Sequence, residues 1–264
     1  DNPDSIGINP FTFDDPLKTA VAISSVLKSM YNTTHTDVEE AFRDNVTSQA
    51  IENLSILLKV MYPKLNDGDL PNLTDMLEML TDFDLVEEMC RKMEYDPELS
   101  TKYKMQISYF KKNFYRSGSG RIDTEKFVYS AVTQLDNLLR NEGVRNILCN
   151  RNDNINFDQS LENGEVTFVC TRRGDLGAAT HKAFGLFFII LMQYSVLRRP
   201  GNERNRVPHF LYIDEFPDFL CKDIDAIFTL YRKYRVGTLI AAQNLEQLGS
   251  KVYSRYRQNN TCKL

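Results

Sequence analysis

The chain has 264 residues, 42% of them hydrophobic and 26% charged, which is typical of a folded globular protein rather than a disordered one. Its formal net charge of −4 excludes an overall basic protein directed to nucleic acid by its net charge, although a local basic channel remains possible. Five cysteines without a C-x-x-C spacing and three scattered histidines argue against a disulfide framework and a zinc site, and they suit a reducing cytosol.

The first 35 residues predict an extended segment followed by a helix. Three X-Pro steps within residues 1–16 bias that stretch away from helix. Residues 17–31 then place apolar side chains at helical spacing.

Residues 36–150 predict an all-α domain. Residues 48–61 carry a strongly apolar helical face, and residues 123–140 give the clearest amphipathic pattern of the chain. Asp96 before Pro97 is typical of a helix start, because proline is favoured at the first helical position. No strand pattern competes in this region, and no metal or nucleophile constellation is present in its sequence.

One basic cluster in the helical region is interleaved with aromatic residues. Its cations are Lys102, Lys104, Lys111, Lys112, Arg116 and Arg121. Its aromatic residues are Tyr103, Tyr109, Phe110, Phe114 and Tyr115. Such a mixture could bind single-stranded DNA through phosphate charge and base stacking. It equally fits ordinary helices whose rings lie in the core and whose lysines lie in water.

From residue 151 onward, strand patterns alternate with helical patterns. Residues 166–170 predict a buried strand, and residues 178–197 predict an apolar helix. The longest apolar run of the chain, 183–192 extended past Gln193 to Leu197, is too short and interrupted to span a membrane, which takes about 20 apolar residues. Arg172 and Arg173 lie between the predicted strand and the predicted helix. They are candidates for a phosphate or DNA contact, and equally for a solvent-exposed anchor at the helix start.

A second predicted strand, residues 210–213, ends in two adjacent carboxylates, Asp214 and Glu215. Its continuous apolar run suits a strand buried in a parallel sheet, and ligands of such sheets gather beyond the carboxyl ends of the strands. This is the pattern of a Walker B strand, in which the Asp holds Mg²⁺ and the Glu polarises the attacking water. The alternative interpretation is a buried strand that ends in a solvated acidic turn.

A helix and a third strand follow the acidic pair. Residues 223–234 place apolar side chains at helical spacing, and residues 238–242 form another apolar run that ends at Gln243. Strands that alternate with helices predict an α/β fold with a parallel sheet.

Several strings in this part of the chain resemble a known family. I-D-E-F at 213–216, Y-R-K-Y-R-V-G at 231–237 and A-Q-N-L-E-Q-L at 242–248 resemble conjugative coupling proteins of the VirD4/TraG/TraD kind, which are type IV secretion ATPases of the FtsK/HerA group. N-N-T-C-K-L at 259–264 also resembles a strand of that family, and I-N-P-F at 8–11 does so more loosely.

The resemblance covers residues 157–264 and implies a fold class. We expect an α/β protein with a RecA-like parallel sheet, the C-terminal part of a P-loop NTPase motor, into which an all-α domain is inserted. On this assignment residues 1–35 are a motor-domain segment that leads out of the sheet and residues 36–150 are the inserted all-α domain. Residues 151–264 are the RecA-like motor domain with the Walker B strand.

The resemblance also implies roles for four residues, with ATP and Mg²⁺ bound between the subunits of a homo-hexamer. Asp214 would hold Mg²⁺ and Glu215 would activate water. Gln243 would sense the γ-phosphate, and Arg232 would act in trans on the nucleotide of the adjacent subunit. Arg235 is the rival for the trans role, because it lies three residues on from Arg232, about one helical turn away, and so on a similar face.

Partners and location follow from the same resemblance. The expected cargo is DNA, either single-stranded or as a relaxase–DNA complex, and other expected partners are components of the type IV secretion system. The full-length protein would act on the cytoplasmic side of a membrane, with which it would associate through segments outside this chain.

No G-x-x-x-x-G-K-[ST] motif occurs in the chain. The nearest string, at 118–121, lacks the Lys and a preceding apolar strand, so we interpret it as a flexible loop. We therefore expect this sequence to be an internal piece whose phosphate-binding loop precedes Asp1, and we expect the piece alone to be inactive. The alternatives are a VirB4-like secretion ATPase, a HerA-type DNA translocase, and a non-catalytic helical module that recruits a substrate.

Overall fold

The computed structural model describes residues 5–30, 38–221, 227–228 and 230–248, without the side chains at 38–41, 245 and 248. The chain divides into two compact units, Asp1–Asn154 and Ile155–Leu264, which are called unit 1 and unit 2 below. The domain assignments made from the sequence remain predictions.

Unit 1 is a body of α-helices. After a short 3₁₀ turn, Pro10–Thr12, its helices are α1 Pro16–Met30, α2 Val38–Leu65, α3 Leu73–Thr81, α4 Phe83–Tyr95, α5 Pro97–Lys102, α6 Lys104–Asn113, α7 Arg121–Arg140 and α8 Glu142–Leu148. Helix α2 packs against α1 and α7, with Leu54 and Leu135 fully buried among them. The helices predicted at 48–61 and 123–140 are confirmed, and both are longer than predicted.

The helix starts in unit 1 follow local capping chemistry. The Asn72 side chain accepts hydrogen bonds from the backbone N–H groups of Thr74 and Asp75, and the Asp75 side chain accepts from the N–H of Asn72. This reciprocal pair satisfies N–H groups that the first turn of α3 leaves without helical partners. Asp96 caps α5 without such a reciprocal bond: its side chain accepts from the N–H groups of Glu98 and Leu99, and Pro97 takes the first helical position, as the sequence indicated.

The N-terminal segment of unit 1 is held by one buried asparagine. Asn9 is 0% exposed, and its Nδ2 donates to the carbonyl oxygens of Pro71 at 2.9 Å and Asn150 at 3.1 Å. Its Oδ1 accepts from the backbone N–H of Phe11 at 3.0 Å. Because every one of these groups would be costly to bury unpaired, Asn9 fixes this segment against the helical body.

The described residues of unit 2 combine three α-helices, each of four residues or more, with a small sheet. Its elements are α9 Phe157–Asn163, α10 Arg173–Leu176, α11 Ala178–Arg198, β1 His209–Ile213 and β2 Val236–Ile240, with 3₁₀ turns at Phe216–Phe219, Tyr231–Tyr234 and Leu245–Leu248. β1 and β2 are parallel, and the register pairs His209 with Val236 and Ile213 with Ile240.

The predicted fold class is wrong. The described residues are mostly helical, and their sheet has two strands, so a RecA-like parallel sheet with an inserted all-α domain is not what the structure contains. The predicted strand at 166–170 is extended chain without a strand partner, and Phe168 is 94% exposed. The apolar pattern of 166–170 shows that these residues suit a strand, but a parallel strand also needs a neighbouring edge and cover on both faces.

Helix α11 is the central element of unit 2. It is apolar around its whole circumference, which is typical of a buried helix, and the helix predicted at 178–197 is confirmed. Among the described residues it is the one helix whose length and composition would allow it to cross a membrane. In the most apolar window of α11, 72% of the residues are buried inside the protein, as in a core helix.

Two other predicted elements fall partly or wholly beyond the described residues. Of the helix predicted at 223–234, residues 223–226 and 229 lie outside the described part, and Tyr231–Tyr234 forms a 3₁₀ turn. The string at 259–264 lies entirely outside it.

Candidate functional site

The carboxyl ends of β1 and β2 lie side by side. The N–H of Ala241 donates to the carbonyl oxygen of Ile213 at 2.9 Å, and the N–H of Phe216 donates to the carbonyl oxygen of Ala241 at 3.0 Å. Asp214 and Glu215 therefore leave the sheet at the same edge as the residues that lead to Gln243. The structure thus brings three of the predicted site residues to one edge, where ligands of parallel sheets bind.

The acidic pair has an unusual backbone. Glu215 lies in the left-handed region, with φ +47°, and its N–H donates to Oδ1 of Asp214 at 3.0 Å. This conformation is unfavourable for a residue with a Cβ, and such outliers occur preferentially at binding and catalytic sites. Both side chains are exposed, so their carboxylate oxygens are accessible to a ligand.

Carboxylate oxygens are the donors that Mg²⁺ prefers, and the ion usually takes one or two of them together with water and phosphate oxygens. The described residues contain no group of three or more His, Cys, Asp or Glu side chains that could hold a metal by themselves. The donor set of Asp214 and Glu215 therefore fits Mg²⁺ that arrives with a phosphate ligand, and it does not fit a resident metal held by protein side chains alone.

The turn after the acidic pair is fixed against α11. Phe219 is buried in the turn Phe216–Phe219, and a Cβ at Gly185 would collide with its ring. Asp218 accepts a hydrogen bond from Nη1 of Arg173 at 2.6 Å, and Nε2 of His181 lies 3.5 Å from the same carboxylate oxygen. Ion pairing and ring packing thus hold the backbone that carries Glu215.

His181 was not identified from the sequence. It is 6% exposed, and its ring centroid lies 5.0 Å from that of Phe219. A single histidine in the first turns of an apolar helix gives no sequence signal beyond its spacing, so only the fold reveals that it faces Asp218.

A cavity of about 780 Å³ runs beside β1, and we call it the β1 cleft. It is bounded by β1, α9, α11 and the extended residues 164–171. Its walls are mainly apolar, and Asp214 and Glu215 lie among its lining residues. Its size is in the range of small-molecule and peptide sites.

Arg232 lies near the amino ends of the strands, whereas the acidic pair lies at their carboxyl ends. It belongs to the turn Tyr231–Tyr234, which comes directly before β2, whereas Asp214 follows the end of β1. The five residues of β2 separate the amino end of the sheet from its carboxyl end, a distance of about 15 Å. Arg232 is exposed, and no described residue is a hydrogen-bond or ion-pair partner of its side chain.

Arg235 has a different environment from Arg232. Its Nη1 donates to the carbonyl oxygens of Arg204 at 2.9 Å and Arg206 at 2.8 Å, and its φ is +58°. Arg199, 6% exposed, similarly donates to three backbone carbonyls, including that of Tyr234 at 2.9 Å. Burial, followed by the charge of Arg206, lowers the pKa of Arg199. These arginines anchor the loops before β1 and β2, so Arg235 is engaged in structural contacts.

In the basic and aromatic cluster of unit 1, rings lie in the helical core and three of the six cations form ion pairs. Phe110 and Phe114 are 0% exposed and lie in contact with each other, with ring centroids 5.4 Å apart. Lys111 pairs with Glu94, and Arg116 and Arg121 both pair with Asp84. Buried rings are not available to stack on bases, so the geometry favours the interpretation as ordinary helices.

Comparisons with family models, with curated proteins and with solved structures found no match to this chain. The resemblance to coupling proteins therefore rests on the sequence strings alone.

Proposed function

We propose that this chain is part of a hexameric ATPase motor that moves DNA or a relaxase–DNA complex during conjugation or type IV secretion. The observation that supports the proposal most is the common edge of β1 and β2, from which Asp214, Glu215 and Gln243 all emerge. Two carboxylates next to an amide at the carboxyl end of parallel strands suit Mg²⁺ and a phosphate chain.

In the proposed motor each residue has one task. Asp214 binds Mg²⁺, which neutralises charge on the phosphates. Glu215 accepts a hydrogen bond from the attacking water and orients it. Gln243 contacts the γ-phosphate from the neighbouring strand. The loop that holds the remaining phosphates comes from residues outside this sequence, in which no such motif occurs.

Arg232 fits an interaction between subunits rather than within one. It lies about 15 Å from the acidic edge of its own sheet, so it is out of reach of a nucleotide held by Asp214 of the same chain. It is also exposed and without a described partner, as a residue directed at a neighbouring subunit must be. A ring of subunits places such a surface against the nucleotide of the next copy.

The test is Glu215→Gln in the full-length protein, with Glu203→Gln as the matched control. Both are exposed, but Glu203 lies in the loop before β1, away from the acidic edge. We expect Glu215→Gln to keep Mg²⁺–ATP binding and to lose turnover by at least about a hundredfold, because the amide keeps the shape but cannot polarise water. Wild-type turnover in Glu215→Gln would refute the proposed site.

A second candidate function is substrate recruitment by unit 1. Ile122 and Tyr129 are 81% and 72% exposed and lie seven residues apart, on one face of α7. Exposed apolar side chains that share a face are typical of interaction sites. In the full-length protein, Ile122→Ser with Tyr129→Ser should weaken relaxase–DNA binding and leave ATP turnover unchanged. Unaltered relaxase–DNA binding would exclude this face of α7.

A further inference from the structure

Residues 165–172 form a segment without helix or strand pairing, here called the strap, that is anchored at both ends. At its start, the N–H of Glu165 donates to the carbonyl oxygen of Ser160 at 3.0 Å, and the hydroxyl of Ser160 donates to Oε2 of Glu165 at 2.7 Å. At its end, the carbonyl oxygen of Thr171 lies 3.3 Å from Nδ1 of His181, and Arg173 is bonded to Asp218. The strap therefore spans the β1 cleft with fixed attachment points.

In this conformation the middle of the strap has unpaired backbone polar groups and exposed apolar side chains. The backbone groups of residues 166–170 have no hydrogen bond to any described residue. Val166 is 80% and Phe168 is 94% exposed. A run of β-branched and aromatic side chains with free backbone groups is the composition that pairs with a strand edge.

The outer edge of β1 offers matching groups. The N–H of His209 donates to Arg235, and the carbonyl oxygen of Ile213 accepts from Ala241, so alternate residues of β1 are bonded towards β2. In a parallel ladder, the N–H and C=O groups of the residues between them, Phe210 and Tyr212, point the other way, towards the cleft. No described residue bonds to these groups.

The equal lengths of residues 166–170 and β1, and the charges beyond their ends, favour one register between the two segments. Residues 166–170 are as long as the five-residue β1, and pairing residue 166 with His209 places Phe168 opposite Leu211. Leu211 is 7% exposed and Tyr212 is 70% exposed, so Phe168 would enter the covered face of the sheet. The same register brings Arg172 to the carboxyl end of β1, which Asp214 and Glu215 follow, so opposite charges meet beyond the end of the ladder.

We propose that the strap closes the β1 cleft by pairing with the outer edge of β1, and that Arg172 then exchanges its ion pair with Asp175 for one with Glu215. The Arg172–Asp175 pair is 3.1 Å long and both side chains are largely exposed, so leaving it costs little. Closure covers Phe168 and places a cation over the acidic edge. The strap is thus a gate for Asp214 and Glu215, whatever ligand these residues bind, and the inference does not depend on ATP hydrolysis.

A cysteine pair reports closure directly. Val169→Cys with Tyr212→Cys places the two thiols opposite each other on one face of the closed strap, within the separation that a disulfide requires. Phe168→Cys with Tyr212→Cys is the matched control, because its two thiols lie on opposite faces. Both pairs are made in the full chain with Cys170→Ser and Cys221→Ser, and disulfide formation is followed under mild oxidation.

We expect the Val169→Cys, Tyr212→Cys pair to oxidise at least about tenfold faster than the control pair. Equal rates for the two pairs would overturn closure in this register. Arg172→Glu added to the faster pair should slow oxidation several-fold, whereas Arg204→Glu, at the other end of β1, should not. Equal effects of the two charge reversals would overturn the pairing of Arg172 with Glu215.

Discussion

The backbone N–H of Ala241 donates to the carbonyl oxygen of Ile213 at 2.9 Å, so the last hydrogen bond of the parallel ladder lies directly before Asp214. This bond joins the two strand ends that carry the candidate site. The position of Gln243 relative to the acidic pair depends on it, because both segments turn away from the sheet immediately afterwards.

Ala241→Pro should weaken the pairing of β1 with β2 at their carboxyl ends. Proline has no N–H, so the carbonyl of Ile213 would lose its partner. We expect the free energy of unfolding to fall by about 1–3 kcal/mol, as measured by urea denaturation. Ala241→Ser keeps the N–H and serves as the control. Equal stability of the two variants would show that this bond does not hold the edge.

Gly185→Ala tests the packing under the turn that carries Glu215. A Cβ at Gly185 collides with the ring of Phe219, so we expect a loss of about 1–3 kcal/mol. Gly174→Ala is the control, because a Cβ at Gly174 meets no atom within 4 Å. Adding Phe219→Leu should recover part of the loss, and an unchanged unfolding midpoint in Gly185→Ala would contradict the close approach.

Substituting Arg235 should lower the stability of the protein, whereas substituting Arg232 should not. Arg235→Ala removes two hydrogen bonds to backbone carbonyls, so the unfolding free energy should fall by about 1–3 kcal/mol. Arg232→Ala should leave stability within about 0.5 kcal/mol, since the side chain is exposed and has no described partner.

Substituting Arg232 should instead change the ATP turnover of the full-length protein. Arg232→Ala should bind ATP and assemble, yet hydrolyse at least about a hundredfold more slowly. Mixing it with Glu215→Gln subunits should restore part of the activity, because some interfaces then combine an intact Glu215 with an intact Arg232. Normal turnover in Arg232→Ala would exclude it as the residue that acts in trans.

Asp84 should make unit 1 sensitive to acid. Its hydrogen bond with Arg116, followed by the charge of Arg116 and contacts with Arg121, lowers the pKa of Asp84 to about 2. Because the pKa is about 3.9 in an unfolded chain, the stabilisation is complete above pH 4 and is lost as the pH falls towards 2. The difference in urea midpoint between wild type and Asp84→Asn should therefore shrink between pH 4 and pH 2. A constant difference across that range would contradict the ion pair.

Much of unit 1 could be predicted from the sequence because its signals are local. The cap at Asn72, the start at Asp96 and Pro97, and the apolar face of 123–140 each act within a few residues. The parallel pairing of β1 with β2 was also expected, although β2 begins and ends two residues earlier than predicted.

The rest depends on contacts between distant residues. The pattern of 166–170 could not show that the strap stands apart from β1, because composition reports which residues suit a strand and not whether an edge is occupied. The contact of His181 with Asp218 and the anchoring of Arg235 join residues that are 29 to 37 positions apart. No spacing rule in the sequence connects such pairs.

Asn9 also has a consequence for the order in which unit 1 forms. Its backbone N–H donates to Oδ1 of Asn154 at 2.8 Å across 145 residues, and its side chain reaches Asn150 across 141. During synthesis these bonds cannot form until the ribosome has released residue 154, whereas the local contacts of the helices in between can form earlier. The entropic cost of closing so long a loop grows only slowly with its length, but contacts this distant in sequence slow folding. We expect the amides around Asn9 to be the last in unit 1 to become protected from hydrogen exchange during folding.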